Sequence, residues 1–129
     1  MTTAYWCVLV AGLLPYVAIT IAKSDKTYLR GNIAPREWEA KLQGMQSRAH
    51  AAHLNSFEAL PLFAAAIIIA SLCKVPQATV DSIAIAFVIA RLAYLACYLA
   101  NLATLRSLVW VVGLGLNIWI FMIAARATG

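Results

Sequence analysis

Charge is scarce in this 129-residue sequence, in which ten basic and five acidic residues make up only 12% of the chain. A water-soluble domain usually carries about 25% charged and about 45–50% apolar residues. Here 64% are hydrophobic, with a mean hydropathy of +0.82, which excludes that class. The net charge of +5 would raise nucleic acid as a partner for a soluble protein; here no nucleic-acid partner is expected, and the charge is read as a signal of membrane topology. Cysteine is sparse too. Cys7, Cys73 and Cys97 form an odd, widely spaced set without a C-x-x-C pair, so no disulfide framework or zinc site follows. Each lies in or beside an apolar stretch, where a thiol acts as a small hydrophobe. His50 and His53 lack third and fourth ligands at metal spacing, so no metal is expected. The chain has no internal repeat, low-complexity tract or lipidation signal.

Long apolar runs are abundant. A bilayer core takes roughly 20 apolar residues per helix, enough here for about four spans and little else. Ala4 to Ala22 is uncharged throughout and is preceded by no Lys or Arg, which reads as a span rather than a cleaved leader. Pro15 inside it should kink the helix, with neighbouring helices satisfying the freed carbonyl. Ala59 to Cys73 is too short alone and borrows the polar string RAHAAHLNSFE, residues 48 to 58. Val80 to Ala100 holds Arg91 near its middle, and Ser107 to Ala125 is again uncharged. The expected fold is an all-α integral membrane four-helix bundle forming a single domain over residues 1–129, with spans at about 4–22, 54–73, 80–100 and 107–125. REWEAKLQGMQSR reads as a helical lead-in to the second span.

Lys23, Lys26, Arg30, Arg36, Lys41, Arg48 and Arg106 fall on one side of such a bundle, and Lys74 and Arg126 on the other. The positive-inside bias then puts both termini on the non-cytoplasmic side. Tyr5 and Trp6 are expected at the outer interface and Trp110 at the inner one. Lys23 and Arg30 are also within reach of an anionic ligand at the boundary. Gly12, Gly113 and Gly115, with Ala86, Ala90 and Ala93, offer small surfaces for close helix packing.

An ionisable group inside a span costs about 2.5–3.5 kcal/mol on insertion scales, so Glu58 and Arg91 need partners or a wet cavity. At 100° per residue Arg48, Asn55 and Glu58 fall within an arc of about 80°. On the third segment Arg91, Tyr94, Tyr98 and Asn101 form a second polar stripe. Two such stripes on adjacent helices point to a shared polar site. The simpler alternative is a buried Glu58–Arg91 ion pair that fixes helix register.

The string RAHAAHLNSFEALPLF closely resembles the second-helix signature of the MAPEG family, the membrane-associated proteins in eicosanoid and glutathione metabolism. RLAYLACYLANLATLRSLVW, from Arg91 to Trp110, resembles that family's third helix running into its fourth. The resemblance implies a homotrimer with glutathione as cosubstrate, bound between subunits near the cytoplasmic face. It also implies glutathione contacts from Arg48, Asn55, Glu58, Arg91, Tyr94 and Tyr98, and stabilisation of the thiolate by Arg106 and Ser107. A bacterial-type member would lie in the plasma (inner) membrane. The chain departs from the glutathione-using members in having Ala51 and Leu54 where they carry arginines, Tyr94 for a histidine and Trp110 for a tyrosine.

Two functions follow from the resemblance. One is a glutathione-dependent transferase or peroxidase acting on a lipophilic small-molecule substrate, an electrophile or lipid hydroperoxide, at the membrane boundary. The other is a non-catalytic protein whose inter-helix crevice binds membrane lipids or other amphiphiles, a reading favoured by the apolar Ala51, Leu54 and Trp110.

Overall fold

The computed structural model describes residues 1–24 and 31–129. Lys26 and Arg30 lie outside the described residues. Among those described, five helices occur in the order α1 (Thr3–Ala22), α2 (Pro35–Glu39), α3 (Gly44–Leu72), α4 (Gln77–Leu99) and α5 (Ala103–Thr128). All but the short α2 are long and apolar enough to cross a membrane.

The second segment differs from its sequence reading. The lead-in is not one continuous helix: α2 begins at Pro35, whose fixed φ suits a first helical position, and ends at Glu39 with Ala40 as its cap. The chain turns again before α3, with Gly44 at φ 60°, a value that favours glycine. From there α3 runs 29 residues, about 43 Å at 1.5 Å per residue, against about 30 Å of hydrocarbon. Its first turns therefore extend beyond the apolar layer and carry Arg48 and His50.

Helices α1 and α4 run in one direction and α3 and α5 in the other. This is fixed at one end by the Ala4 N–H donating to Asp81 Oδ1 at 2.8 Å, and at the other by the Arg48 guanidinium donating to the Leu99 carbonyl at 3.0 Å. Lys23, Arg36, Lys41, Arg48 and Arg106 thus share one end, with Lys74 and Arg126 at the other. Helices α3 and α4 each pack against the three other long helices, while α1 and α5 scarcely touch.

Lipid tails are as apolar as leucine, so helix association depends on close packing rather than escape from water. The core reflects this. Ala4, Ala18, Ala22, Ala49, Ala52, Ala66, Ala70 and Ala84 are wholly buried, and Phe63 stacks on Phe87 with centroids 4.0 Å apart. The glycines named above contribute less than expected. A Cβ on Gly115 would meet nothing within 4 Å, and on Gly12 or Gly113 it would meet only ordinary contacts at 3.8 and 3.7 Å. The close approach belongs to alanines instead.

Two helix ends close without glycine. Asn101, expected as the last member of the third-segment stripe, is instead exposed in the left-handed region at φ 59°. It terminates α4: its N–H reaches the Tyr98 carbonyl and the Leu102 N–H reaches that of Cys97. Lys74, at φ 57°, ends α3 in the same way, with Val75 N–H on the Ala70 carbonyl. Asp81, in the first turns of α4, received no role from the sequence. Its Oδ1 accepts from Ala4 N–H and from Gln77 Nε2, at 2.8 and 2.7 Å, placing a carboxylate at the positive end of α1.

Candidate functional site

The polar residues of α3 and α4 meet in mid-bundle. Arg91 is 5% exposed, and its Nη2 donates to Asn55 Oδ1 at 2.9 Å and to Ser56 Oγ at 3.4 Å. Asn55 Nδ2 in turn donates to Glu58 Oε2 at 3.4 Å. Glu58 and Arg91 make no direct ion pair; one carboxamide accepts from the cation and donates to the anion. Glu58 lies one turn beyond Asn55 and its side chain is exposed on the single chain, so it stands outside the buried guanidinium's reach.

From Arg91 a ladder of cations and rings runs along α4 toward the α4–α5 turn. The Arg91 guanidinium lies over the Tyr94 ring at 4.2 Å. Tyr94 meets Tyr98 edge to face at 5.6 Å, and the Arg106 guanidinium lies over Tyr98 at 4.3 Å. Spacing places the tyrosines one turn apart, and the short turn after α4 brings Arg106 back over the second. Such a contact is worth about 2 kcal/mol where desolvated, as for the buried Arg91 and Tyr94, and about 0.5–1 kcal/mol toward the exposed limit that the half-buried Arg106 and Tyr98 approach.

Two other site candidates have different partners. Arg48 does not join Asn55 and Glu58: its Nε and Nη2 both donate to the Leu99 carbonyl, at 3.3 and 3.0 Å, neutralising an orphan acceptor at the end of α4. Ser107 is exposed, and its Oγ donates back to the Ala103 carbonyl at 3.1 Å. On the α1–α3 face His53 Nδ1 lies 2.7 Å from the Pro15 carbonyl. A carbonyl only accepts, so that ring nitrogen carries the proton. This bond falls on the proline's own carbonyl, not on the Ala11 carbonyl that Pro15 leaves without a donor.

Between α3, α4 and α5 lies a cavity of about 180 Å³. Asn55, Glu58, Arg91 and Asn117 give it polar walls. Phe87 and Trp110 are among its apolar ones. Trp110, expected at the inner interface, lies two turns inside α5 and faces this space while remaining 43% exposed. Ser56 and Asn117 were not singled out in the sequence. Asn117 is the only uncharged carboxamide in the otherwise apolar run of the last span, a signal eclipsed by attention to ionisable groups alone.

A family model described as the MAPEG family matches residues 3–126. No curated protein and no solved structure matches the chain. The match covers all four membrane-crossing helices and every polar residue just described, and the chain is therefore a multi-pass integral membrane protein of the MAPEG family, the membrane-associated proteins of eicosanoid and glutathione metabolism.

Proposed function

We propose that the protein is a glutathione-dependent transferase or peroxidase that joins the water-soluble thiol to a lipophilic electrophile, or reduces a lipid hydroperoxide, at the membrane boundary. The observation that carries this reading is the continuous line from Glu58 through Asn55, Arg91, Tyr94 and Tyr98 to Arg106. It offers an acceptor for an amino group, guanidinium charge for carboxylates, and at its boundary end a cation for a thiolate. Arg106 would favour the thiolate by its charge, and the thiolate would attack the electrophile. The proton of Ser107 is committed to the Ala103 carbonyl, so Arg106 carries the larger part of that task. Tyr94 and Tyr98 line the path, and Arg48 holds the end of α4 in place beside it.

Glu58, Ser107 and Trp110 are exposed on the single chain at the depth of apolar helices, which supports a homotrimer in which a neighbouring subunit covers them. The particle mass in detergent tests this: three chains are expected, and one chain would overturn it. The charged end with Lys23, Arg36, Lys41, Arg48 and Arg106 is the cytoplasmic one, and both termini face away from it. With the native Cys7, Cys73 and Cys97 replaced by alanine, a cysteine at Ser24 probed with an impermeant thiol reagent should label only after the membrane is opened; labelling of intact cells would reverse the orientation.

Titrating the purified protein with glutathione is expected to give saturable binding, followed by turnover with an aromatic electrophile or a lipid hydroperoxide. Absence of binding at millimolar glutathione would overturn the enzymatic reading. A non-catalytic lipid-binding protein is the second reading. It is favoured by the engagement of Arg48 with Leu99, which removes one cation from the site, and by the apolar Ala51, Leu54 and Trp110.

A further inference from the structure

One polar group of the cavity between α3, α4 and α5 lies outside the line that runs from Glu58 to Arg106. Asn117 is 4% exposed, and its carboxamide has no hydrogen-bond partner among the described residues, so its polar atoms open on the cavity. A buried amide without a partner costs free energy that a bound polar group recovers. The wall around it carries both charges. Glu58 brings an anion and Arg91 a cation, held apart by the Asn55 carboxamide that bonds to each. Such a wall complements a zwitterion, whose ammonium and carboxylate stand one carbon apart, better than a group of either charge alone. Glutathione carries such a group at its γ-linked glutamate.

Donors decide where Asn117 acts. A carboxylate has about four lone-pair sites to fill, and Arg91 already commits Nη2 to Asn55 and Ser56. Arg48 donates to Leu99, and Ala51 and Leu54, within about one turn of Asn55, bring no donor. Among the uncharged donors lining the cavity, that of Asn117 is the buried one without a partner: Asn55 donates to Glu58, and Trp110 is exposed. Size and reach agree. A cavity of about 150 Å³ holds benzene, so one of about 180 Å³ seats the α-amino-acid end of the tripeptide and not the whole. From position 106 to position 117 α5 rises about 16 Å. The bonds from the glutamate's α-carboxylate oxygen to the thiol sulfur amount to about three residues of chain, about 10–11 Å extended, and contacts of about 3 Å at each end cover the rest.

We infer that Asn117 is a specificity residue of this site: its Nδ2 donates to the α-carboxylate at the γ-glutamyl end of glutathione, beside Arg91, while Glu58 takes the ammonium and the thiol lies toward Arg106. Glu58 and Trp110, both exposed on the single chain, stand at the rim of the cavity, where the neighbouring subunit of the proposed homotrimer closes it. The inference rests on the glutathione reading and adds to it a residue on α5 and a requirement, that the thiol cosubstrate carry a free α-carboxylate.

The test is equilibrium dialysis of tritiated glutathione against the detergent-purified protein, with two unlabelled competitors. One is 4-aminobutyryl-cysteinylglycine, which lacks the α-carboxylate; the other is glutaryl-cysteinylglycine, which lacks the ammonium. Asn117→Leu should weaken glutathione and the glutaryl analogue about tenfold or more, as expected for the loss of a hydrogen bond to a charged group, and leave the aminobutyryl analogue within about twofold of wild type. A loss of equal size for all three ligands, a loss that follows the ammonium instead, or no loss would overturn the inference and leave the glutathione reading standing. If the wild-type protein binds no glutathione at millimolar concentration, both fall. Should the leucine variant not fold, Asn117→Ala gives the same three-ligand comparison.

Discussion

Arg106→Ala is expected to lower glutathione-dependent turnover about a hundredfold or more while leaving the fold and glutathione affinity nearly unchanged, because charge aimed at a reacting group acts chiefly on the reacting state. The guanidinium lies over Tyr98 at 4.3 Å and donates to no backbone carbonyl among the described residues, so its removal empties no helix cap there. The loss should depend on pH in a definite direction. A free thiol ionises near pH 8.5, and a neighbouring cation lowers that value. Without Arg106 the thiol returns toward its solution behaviour, so the deficit is largest near pH 6 and narrows as pH rises and thiolate forms unaided. Arg106→Lys should rescue only in part, since an ammonium lacks the planar face that lies on the tyrosine. A pH–rate profile of wild type and variants measures this; an equal deficit at every pH, or none, would remove Arg106 from the assigned role.

The largest loss of stability is expected at Asn55, not at either charge. Asn55→Leu cuts the link between Arg91 and Glu58 and leaves a guanidinium 5% exposed with only the 3.4 Å contact to Ser56 and the Tyr94 face. Removing one partner of a buried charge typically costs about 3–5 kcal/mol, whereas replacing the polar set by apolar side chains of similar volume is often neutral. Asn55→Leu combined with Arg91→Met should therefore recover much of the stability that Asn55→Leu alone loses. Thermal unfolding in one detergent gives the comparison. A double variant no more stable than the single one would show that the bridge is not what stabilises the pair.

The four membrane-crossing helices were legible because hydropathy is a sum over some twenty residues and tolerates local error. The pairing of Asn55 with Arg91 was legible in outline, since two polar stripes in apolar helices have few places to go. What the stripes did not reveal was the end each residue serves. Arg48 shares an arc with Asn55 and Glu58, yet a long side chain two helical turns nearer the end of α4 reaches the Leu99 carbonyl first. Asn101 continued the stripe by spacing, but a helix must end somewhere, and asparagine tolerates the left-handed residue that ends α4. Asp81 and Asn117 were missed for a related reason. The Ala4 amide of α1 that Asp81 accepts from, and the cavity that Asn117 lines, exist only once distant helices are packed, and no periodicity within one helix records them.

The carboxylate that closes the amino end of α1 is encoded 77 residues downstream of the amide it accepts from. A nascent chain therefore delivers α1 to the bilayer with the Ala4 N–H open, and that end is secured only when α4 has been synthesised and inserted. Seen from the ribosome, the last membrane segment but one completes the first, so the order of translation and the order of consolidation run in opposite directions along this chain.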